Sequence, residues 1–314
     1  MTYINASKKV VKTIINLILI VLFNVIATAQ QVPHYTQYLY NMEVLNPAFV
    51  GAKSDLSISL LSRQQWSGVD GAPETHTFSI NGRLKDGLGF GTTVVNDQIG
   101  LAKTTNINVD ASYTIPTSQH GRLSFGIKGG YTFFTNDLLS GVTSDGDVYA
   151  STNNEFANIG FGGLYYNDKF FVGVSIPNLL KSTTFLLEQT ASTSEAISID
   201  NYFVVGGAII NVTDNILFKP STLIKYSPNL PLSVDVNANV IFKDKFETGL
   251  SYRYKSAISA VFALHVSKMM RVGYSYDYNL TNLAGNLSSH EIILRFDFKL
   301  KRKSRWLFHN ACYF

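Results

Sequence analysis

Residues 233–243 decide the fold, and they read Ser-Val-Asp-Val-Asn-Ala-Asn-Val-Ile-Phe-Lys. Apolar side chains occupy alternate positions: Val234, Val236, Ala238, Val240 and Phe242. The intervening positions include the polar residues Asp235, Asn237, Asn239 and Lys243. Because successive side chains of a strand point to opposite faces, this period of two predicts a β-strand with one apolar and one polar face.

The same alternation recurs in residues 245–254, 271–278 and 291–300. Each apolar face holds about five residues over roughly ten positions, which is the length of a tilted transmembrane strand. Tyr and Phe stand at the ends of these faces, where aromatic girdles meet the lipid interfaces. A soluble sandwich also alternates, but these two features favour a membrane barrel. Strands in a bilayer satisfy every backbone group only when their sheet is closed. We therefore predict an all-β fold, a transmembrane antiparallel β-barrel with its polar faces toward the lumen.

The number and spacing of the strands agree with this fold. About fourteen strands are predicted, near 56–63, 74–84, 87–96, 104–115, 121–134, 156–167, 169–177, 202–212, 215–226, 231–242, 245–254, 256–267, 269–278 and 288–300. Bacterial barrels have an even number of strands, short periplasmic turns and longer outer loops. The predicted links alternate in this way, with long outer loops at 64–73, 97–103, 135–155, 178–201 and 279–287. The short outer links at 227–230 and 255 are exceptions.

The composition excludes several classes of protein. Of the 314 residues, 46% are hydrophobic and 13% are aromatic, which a disordered chain would not be. Cys312 is the only cysteine, so an intramolecular disulfide framework is excluded. Three of the 26 Lys and Arg lie in the first 29 residues; without them, 23 basic residues face 22 acidic ones. Nucleic-acid binding therefore has no electrostatic support.

The amino terminus has the pattern of an export signal. Lys8, Lys9 and Lys12 precede an apolar run over 14–26, and Ala-Thr-Ala at 27–29 fits a cleavage site. We predict that residues 1–29 are a cleaved signal peptide. An uncleaved membrane anchor is the alternative, although the apolar run is shorter than the ~20 residues of a spanning helix.

The mature chain divides into three parts. Residues 30–55 show no period and are predicted to be an N-terminal periplasmic or plug segment. Residues 56–300 are the predicted transmembrane barrel. Residues 301–314 are a predicted basic periplasmic tail, which could meet acidic partners or lipid headgroups.

No motif in the sequence predicts a catalytic, cofactor or metal site. The six histidines lack a metal-ligand spacing such as H-E-x-x-H, and no G-x-S-x-G elbow occurs. Residues 87–91 (Gly-Leu-Gly-Phe-Gly) resemble a phosphate loop, but no helix follows, so glycines facing a crowded lumen are the better interpretation. A candidate lumen charge network consists of Asp235, Glu247, Arg253, Arg271, Asp277, Glu291, Arg295 and Asp297. Such a network is catalytic, transporting or structural, and the structural role needs the fewest assumptions.

Two segments do not alternate like strands: residues 30–42 with the following 46–51, and residues 63–73. Both supply candidate partner-binding residues. Residues 63–73 contain Asp70-Gly71 and a later Pro73, which favour a rigid turn. In the first outer loop this turn would expose Trp66, a residue type favoured in interface hot spots. The alternative is that Trp66 belongs to the aromatic girdle. The candidate partner-binding residues are Trp66, Asp70, Gly71, Pro73, Asn46 and Pro47.

The two segments contain Pro-His-Tyr-Thr-Gln-Tyr at 33–38, Asn-Pro-Ala at 46–48 and Gln-Trp-Ser-Gly-Val-Asp-Gly-Ala-Pro at 65–73. With these motifs the chain resembles the PorP/SprF family of the Bacteroidota type IX secretion system. Residues 173–178, 219–221, 273–278 and 290–291 also fit the family pattern. Together these matches span about residues 30–300. The ending Cys-Tyr-Phe at 312–314 departs from the Cys-Pro-Arg-Phe type of tail.

The resemblance implies a non-enzymatic outer-membrane protein of the type IX secretion and gliding machinery in a Gram-negative Bacteroidota. It implies that the partners are a secreted adhesin with a C-terminal sorting domain, other type IX components in the periplasm, and outer-membrane lipid. We expect the outer loops at 64–73, 135–155 and 178–201 to hold this cargo, with no cofactor. A porin-like channel or small-molecule outer-membrane transporter is the alternative function, and an outer-membrane hydrolase is a third.

Overall fold

The computed structural model describes residues 34–84, 87–137, 151–179, 201–228, 230–280 and 287–299. Three short helical turns come first, Tyr38–Tyr40, Met42–Leu45 and Pro47–Phe49. Fifteen strand segments follow: β1 (Leu56–Gln64), β2 (Glu74–Arg83), β3 (Leu88–Ile99), β4 (Ala102–Pro116), β5 (Arg122–Asn136), β6 (Thr152–Tyr166), β7 (Phe170–Ile176), β8 (Tyr202–Ala208), β9 (Ile210–Thr213), β10 (Ile216–Tyr226), β11 (Ser233–Phe242), β12 (Phe246–Arg253), β13 (Ala257–His265), β14 (Met270–Asn279) and β15 (Ser288–Phe298). In the described ranges, no helix has the length and apolar character needed to cross a membrane.

The strands close into one antiparallel ring. Strands that follow one another in the chain pair with each other, except β8 with β9, and β1 also pairs with β15. β8 and β9 both pair with β10 and are separated only by Ile209, so they are two parts of one barrel strand. The ring therefore has fourteen strands, which confirms the predicted closed antiparallel barrel and its strand number.

The distribution of buried residues is inverted relative to a soluble β-protein. In β11, Asn237 is 4% exposed whereas its neighbour Val236 is 53% exposed. In β12, Glu247 is fully buried whereas Leu250 is 64% exposed. The polar faces thus point into the barrel and the apolar faces point outward, as the alternation predicts. Hydrocarbon around the outside explains this arrangement, since an apolar outer band is typical of membrane barrels.

The connections identify the two ends of the barrel. At one end they are short, from two residues at 214–215 to five at 117–121. At the other end they reach nine residues at 65–73 and extend further at 137–151 and 177–201. Outer-membrane barrels have short periplasmic turns and longer extracellular loops. We therefore term the end with the short connections the inner end and the end with the long connections the outer end.

One predicted outer loop is wrong. The sequence predicts a loop over 97–103, but β3 continues to Ile99 and β4 begins at Ala102. The turn between them is only Gly100, with a φ of 57°, and its successor. Gln98 and Lys103 both fall in the predicted loop, but they face each other across the β3–β4 ladder. Polar residues therefore continue the strands here instead of ending them.

Some predicted features lie outside the described residues. These are the signal peptide at 1–29, the basic tail at 301–314, and the greater part of the outer loops at 135–155 and 178–201. They stay predictions.

Candidate functional site: the filled lumen and the first outer turn

Residues 34–55 lie inside the barrel, and we term them the lumen segment. The hydroxyl of Tyr35 lies 3.0 Å from that of Thr77 on β2. Almost across the ring, the hydroxyl of Tyr38 accepts a hydrogen bond from Asn237 on β11 at 2.6 Å. A segment that touches distant strands of a closed sheet from within occupies its lumen.

The lumen segment provides half of the buried apolar core. Its members of that core are Tyr35, Tyr38, Leu39, Tyr40, Met42, Leu45, Ala48, Phe49 and Ala52. They pack against inward-facing apolar side chains of the wall: Leu61, Leu164, Tyr166, Phe171, Phe203, Val205, Leu223, Ala263 and Ile293. Phe49 and Phe171, for example, meet edge to face with ring centroids 6.0 Å apart. The inside of this barrel thus contains packed side chains, like the core of a soluble domain.

Glycines on the wall form a seat for Asn46, Pro47 and Ala48. A Cβ at Gly162 would overlap the amide oxygen of Asn46, and a Cβ at Gly126 would overlap the backbone of Pro47 and Ala48. Only residues without a side chain allow this close approach.

Asn46 ties the seated turn together. Its side-chain amide donates to the carbonyl oxygens of Gly163 and Val174, each at 3.2 Å. Its side-chain oxygen accepts from the backbone N–H of Ala48 at 2.9 Å, which caps the helical turn that begins at Pro47. The seat therefore fixes both the position and the local conformation of this part of the lumen segment.

A charge cluster holds the first part of the lumen segment. Arg63 on β1 lies 2.7 Å from Asp277 on β14 and 3.2 Å from Glu291 on β15, and all three side chains are buried. Glu291 also accepts the backbone N–H groups of Thr36 and Gln37 at 3.0 and 2.8 Å. The Arg63 cluster thus joins three strands to the segment in a geometry where every carboxylate has a partner.

The other predicted network residues form separate contacts. Asp235 pairs with Arg253 at 3.0 Å, Glu247 pairs with Lys219 at 2.9 Å, and Arg295 pairs with Asp297 at 3.1 Å. Arg295 also reaches Glu43 of the lumen segment at 3.7 Å. The guanidinium of Arg271 lies 4.9 Å from the ring centroid of Tyr40, a cation–π distance. The eight residues therefore do not meet in one place but are distributed along the lumen segment.

Sequence reasoning missed several charged members of this lining: Glu43, Arg63, Asp110, Lys128 and Lys219. Arg63 shares its face with Ser57 and Ser59, so the alternation of β1 could have identified it. Glu43 has no such signal, because the lumen segment has no period. Within the described ranges, no group of three or more His, Cys, Asp or Glu is arranged to hold a metal ion.

The first outer turn, residues 65–73, is held on two sides. The N–H of Ser67 donates to the carbonyl of Ser288 at the start of β15, and the N–H of Gly100 donates to the carbonyl of Gly71, both at 2.9 Å. Gly71 has a φ of 72°, which suits glycine in a tight turn. The turn is therefore fixed to its neighbours on both sides.

The six candidate partner-binding residues divide into two groups. Asp70 and Gly71 are exposed at the outer turn, Trp66 is half-buried, and Pro73 is buried. Asn46 and Pro47 are buried in the lumen seat, so their contacts in this structure are with the barrel wall.

Comparisons with solved structures find outer-membrane proteins at low sequence identity. The Acinetobacter baumannii outer membrane protein Omp33 is 10% identical, with a TM-score of 0.46, and the alignment covers 79% of this chain and 100% of that chain. The Ralstonia pickettii toluene transporter TbuX is 9% identical, with a TM-score of 0.48, and the alignment covers 82% and 93%. No curated protein sequence matches this chain.

A family model provides the assignment. The model described as type IX secretion system membrane protein PorP/SprF matches residues 27–296, which include the lumen segment and nearly all of the barrel. This confirms the resemblance seen in the sequence, and with the lipid-facing apolar surface it places the protein in the outer membrane. The chain belongs to the PorP/SprF family of type IX secretion system membrane proteins.

Proposed function

We propose that this protein is a non-enzymatic docking and anchoring barrel of the type IX secretion and gliding machinery. In this proposal it supports the export and surface attachment of one secreted adhesin by binding the adhesin's C-terminal sorting domain. Other components of the same machinery meet it in the periplasm. Family membership supports the role in secretion. The choice of an adhesin as the cargo goes beyond the family description and is our proposal.

The filled lumen is the observation that favours docking over transport. Transport of solutes requires a continuous aqueous path, whereas here nine apolar side chains of the lumen segment pack against nine from the wall. The wall charges are also engaged with the segment, as in the hydrogen bonds from Thr36 and Gln37 to Glu291. A barrel closed in this way serves as a scaffold whose exposed outer surface is available to a partner.

The first outer turn is one described part of that surface. Its backbone hydrogen bonds to Ser288 and Gly100 hold it in one conformation. A turn that is already ordered loses little conformational freedom on binding, so more of the contact energy remains as affinity. It presents Asp70 and a half-buried Trp66, an aromatic–polar combination that suits a protein interface.

A deletion strain tests the proposal. We expect it to lose one surface adhesin while other type IX cargo proteins are still secreted, measured by proteomics of the cell surface and the culture medium. Complementation with the full chain should restore that adhesin. Loss of all type IX cargo, or loss of none, would reject the specific-partner function.

Planar bilayers separate docking from the alternative channel function. The purified full-length protein should show no steady conductance, and the adhesin sorting domain should co-purify with it from detergent extracts. Steady, solute-selective conductance without co-purification would instead support a porin-like channel.

A further inference from the structure

Strand β6 extends further toward the outer end of the barrel than its neighbour β7. β6 has 15 residues, whereas β7 has seven. β6 pairs with β5 over its whole length, from Thr152 to Tyr166. On its other side it pairs with β7 only from Phe161 to Tyr166. The outer part of β6 is therefore paired along one side and forms a strand edge along the other.

One hydrogen bond shows which main-chain groups lie along this edge. The carbonyl of Ile159 accepts from the N–H of Leu179, just beyond the end of β7, at 2.8 Å, so the main-chain groups of Ile159 point to the β7 side. Successive residues of a strand direct these groups to opposite sides. Asn153, Glu155 and Ala157 therefore direct their N–H and C=O groups to the same side as Ile159. In the described ranges, no residue pairs with these three on that side.

The edge lies at and beyond the lipid interface. Tyr131 and Phe133 of β5 lie opposite Ala157 and Glu155, with ring centroids 6.4 Å apart, and such outward aromatic rings mark the interface. Glu155 and Asn153 are exposed, so the outward face of β6 becomes polar here. Unpaired backbone groups are costly in hydrocarbon, whereas at this height water can reach them.

An extended row of main-chain groups selects its partner by spacing. Donors and acceptors recur along the edge at every second residue, about 7 Å apart, and another extended polypeptide repeats them at the same spacing. An unpaired edge is accordingly a template for pairing with a further strand. The three edge residues offer three N–H donors and three C=O acceptors to such a strand.

We propose that the outer edge of β6, residues 153–157, binds an extended segment of an extracellular polypeptide, which joins the sheet as one more strand. Phe156 is half-buried on the inward face and Glu155 is exposed on the outward face. The added strand therefore gains most from an apolar side chain on its inward face and a basic one on its outward face. A second copy fits less well, because two copies in one membrane present β6 in the same direction and parallel pairing is less stable per residue. The inference goes beyond the proposed function, since it names a main-chain mode of recognition that no particular cargo is needed to explain.

Amide hydrogen exchange tests whether the edge is open. In the purified full-length protein, the N–H groups of Asn153, Glu155 and Ala157 should exchange faster than those of Asn154 and Phe156, which bond to β5. Protection of all five would mean that the chain's own link between β7 and β8, or a second copy, covers the edge. Either result would overturn the proposal.

Peptide binding tests whether a strand adds at this edge. The probe is a fluorescent peptide with the sequence of residues 130–136, Gly-Tyr-Thr-Phe-Phe-Thr-Asn, which in the barrel pairs with the other side of β6. Glu155→Pro removes one N–H from the edge and places the proline ring there, and an edge position whose N–H has no partner tolerates proline. Glu155→Ala keeps the N–H and is the matched control. Heat-dependent gel migration establishes that both variants are folded barrels.

We expect the peptide to bind the full-length barrel in nanodiscs, with empty nanodiscs as the background. Glu155→Pro should raise the Kd at least about tenfold and Glu155→Ala less than about twofold, because the strand adds through main-chain hydrogen bonds. Absence of binding, or equal binding by the two variants, would reject strand addition at this edge. Neither test involves the adhesin, so its failure can be distinguished from failure of the proposed function.

Discussion

The side-chain oxygen of Asn46 occupies the space that a Cβ at Gly162 would require. Asn46 belongs to a segment without secondary-structure period, and Gly162 lies on β6, where its missing side chain opens the wall. This pair shows how the barrel accommodates the lumen segment: the wall has small residues where the segment approaches most closely.

Gly162→Val should destabilise the protein, because the new side chain must displace Asn46 from its seat. Overpacking of a filled interior costs about 1–3 kcal/mol, and we expect a loss of this size in the free energy of unfolding. Denaturant titration in detergent micelles, followed by heat-dependent gel migration, measures it.

Gly163→Val is the matched control, since Gly163 faces the lipid and a Cβ there meets only Val174 at 3.7 Å. It should leave the unfolding midpoint nearly unchanged. Equal effects of the two substitutions would mean that the cost comes from strand conformation and not from the seat.

Arg63→Met should lower the free energy of unfolding more than Gly162→Val does, because it leaves Asp277 and Glu291 buried without their common cation. Breaking a buried ion pair by removing one partner costs about 3–5 kcal/mol. Adding Glu291→Gln should recover part of the loss, since one fewer buried charge is then unpaired. Unfolding titrations of the single and double variants measure both effects.

Lys103→Met is the control for charge removal, because Lys103 is exposed on the outer part of β4. Its effect should stay within about 0.5 kcal/mol, as for most surface substitutions. If Arg63→Met were as mild as Lys103→Met, the Arg63 cluster would contribute little to holding the lumen segment.

Trp66→Ala should weaken cargo binding without affecting the barrel. Truncating an interface hot spot costs about 2 kcal/mol or more, which corresponds to a Kd about 30-fold higher. The measurement is binding of the purified sorting domain to the barrel in nanodiscs. Val69→Ala in the same turn, where Val69 is exposed, is the control and should bind normally. Unchanged binding by Trp66→Ala would place Trp66 in the aromatic girdle instead.

Deletion of residues 34–53 should cause a large loss of stability. It removes nine side chains from the buried core, and burying each large apolar side chain contributes about 1.5–3 kcal/mol. It also leaves the wall charges of β14 and β15 without the segment's hydrogen bonds. A deletion variant that keeps the wild-type unfolding midpoint would show that the barrel does not depend on its filling.

Local patterns predicted the wall of the barrel well. The alternation at Val234–Phe242 identified the outward apolar face of β11 and, by the same rule, the inward positions of Asp235 and Asn237. The rule was less useful where both faces are polar: Gln98 and Lys103 were assigned to a loop, although they are paired in a ladder. Polarity marks the edge of the lipid band, and it does not mark the end of a strand.

The candidate site was predicted only in part. Alternation pointed Asp277 and Glu291 into the lumen, but nothing local indicated that both would meet Arg63, more than 200 residues away in the chain. Asn46 and Pro47 stood out as a motif, and their burial against β5, β6 and β7 came from the structure alone.

The sequence by itself determined the strands, their lipid-facing sides and the family, because a period of two and a local motif are properties of neighbouring residues. Only the tertiary structure decided the path of residues 34–55, the seat at Gly126 and Gly162, and the partners of each buried charge. Those contacts exist only after fourteen strands close in one register, and closure brings together residues that no local pattern relates.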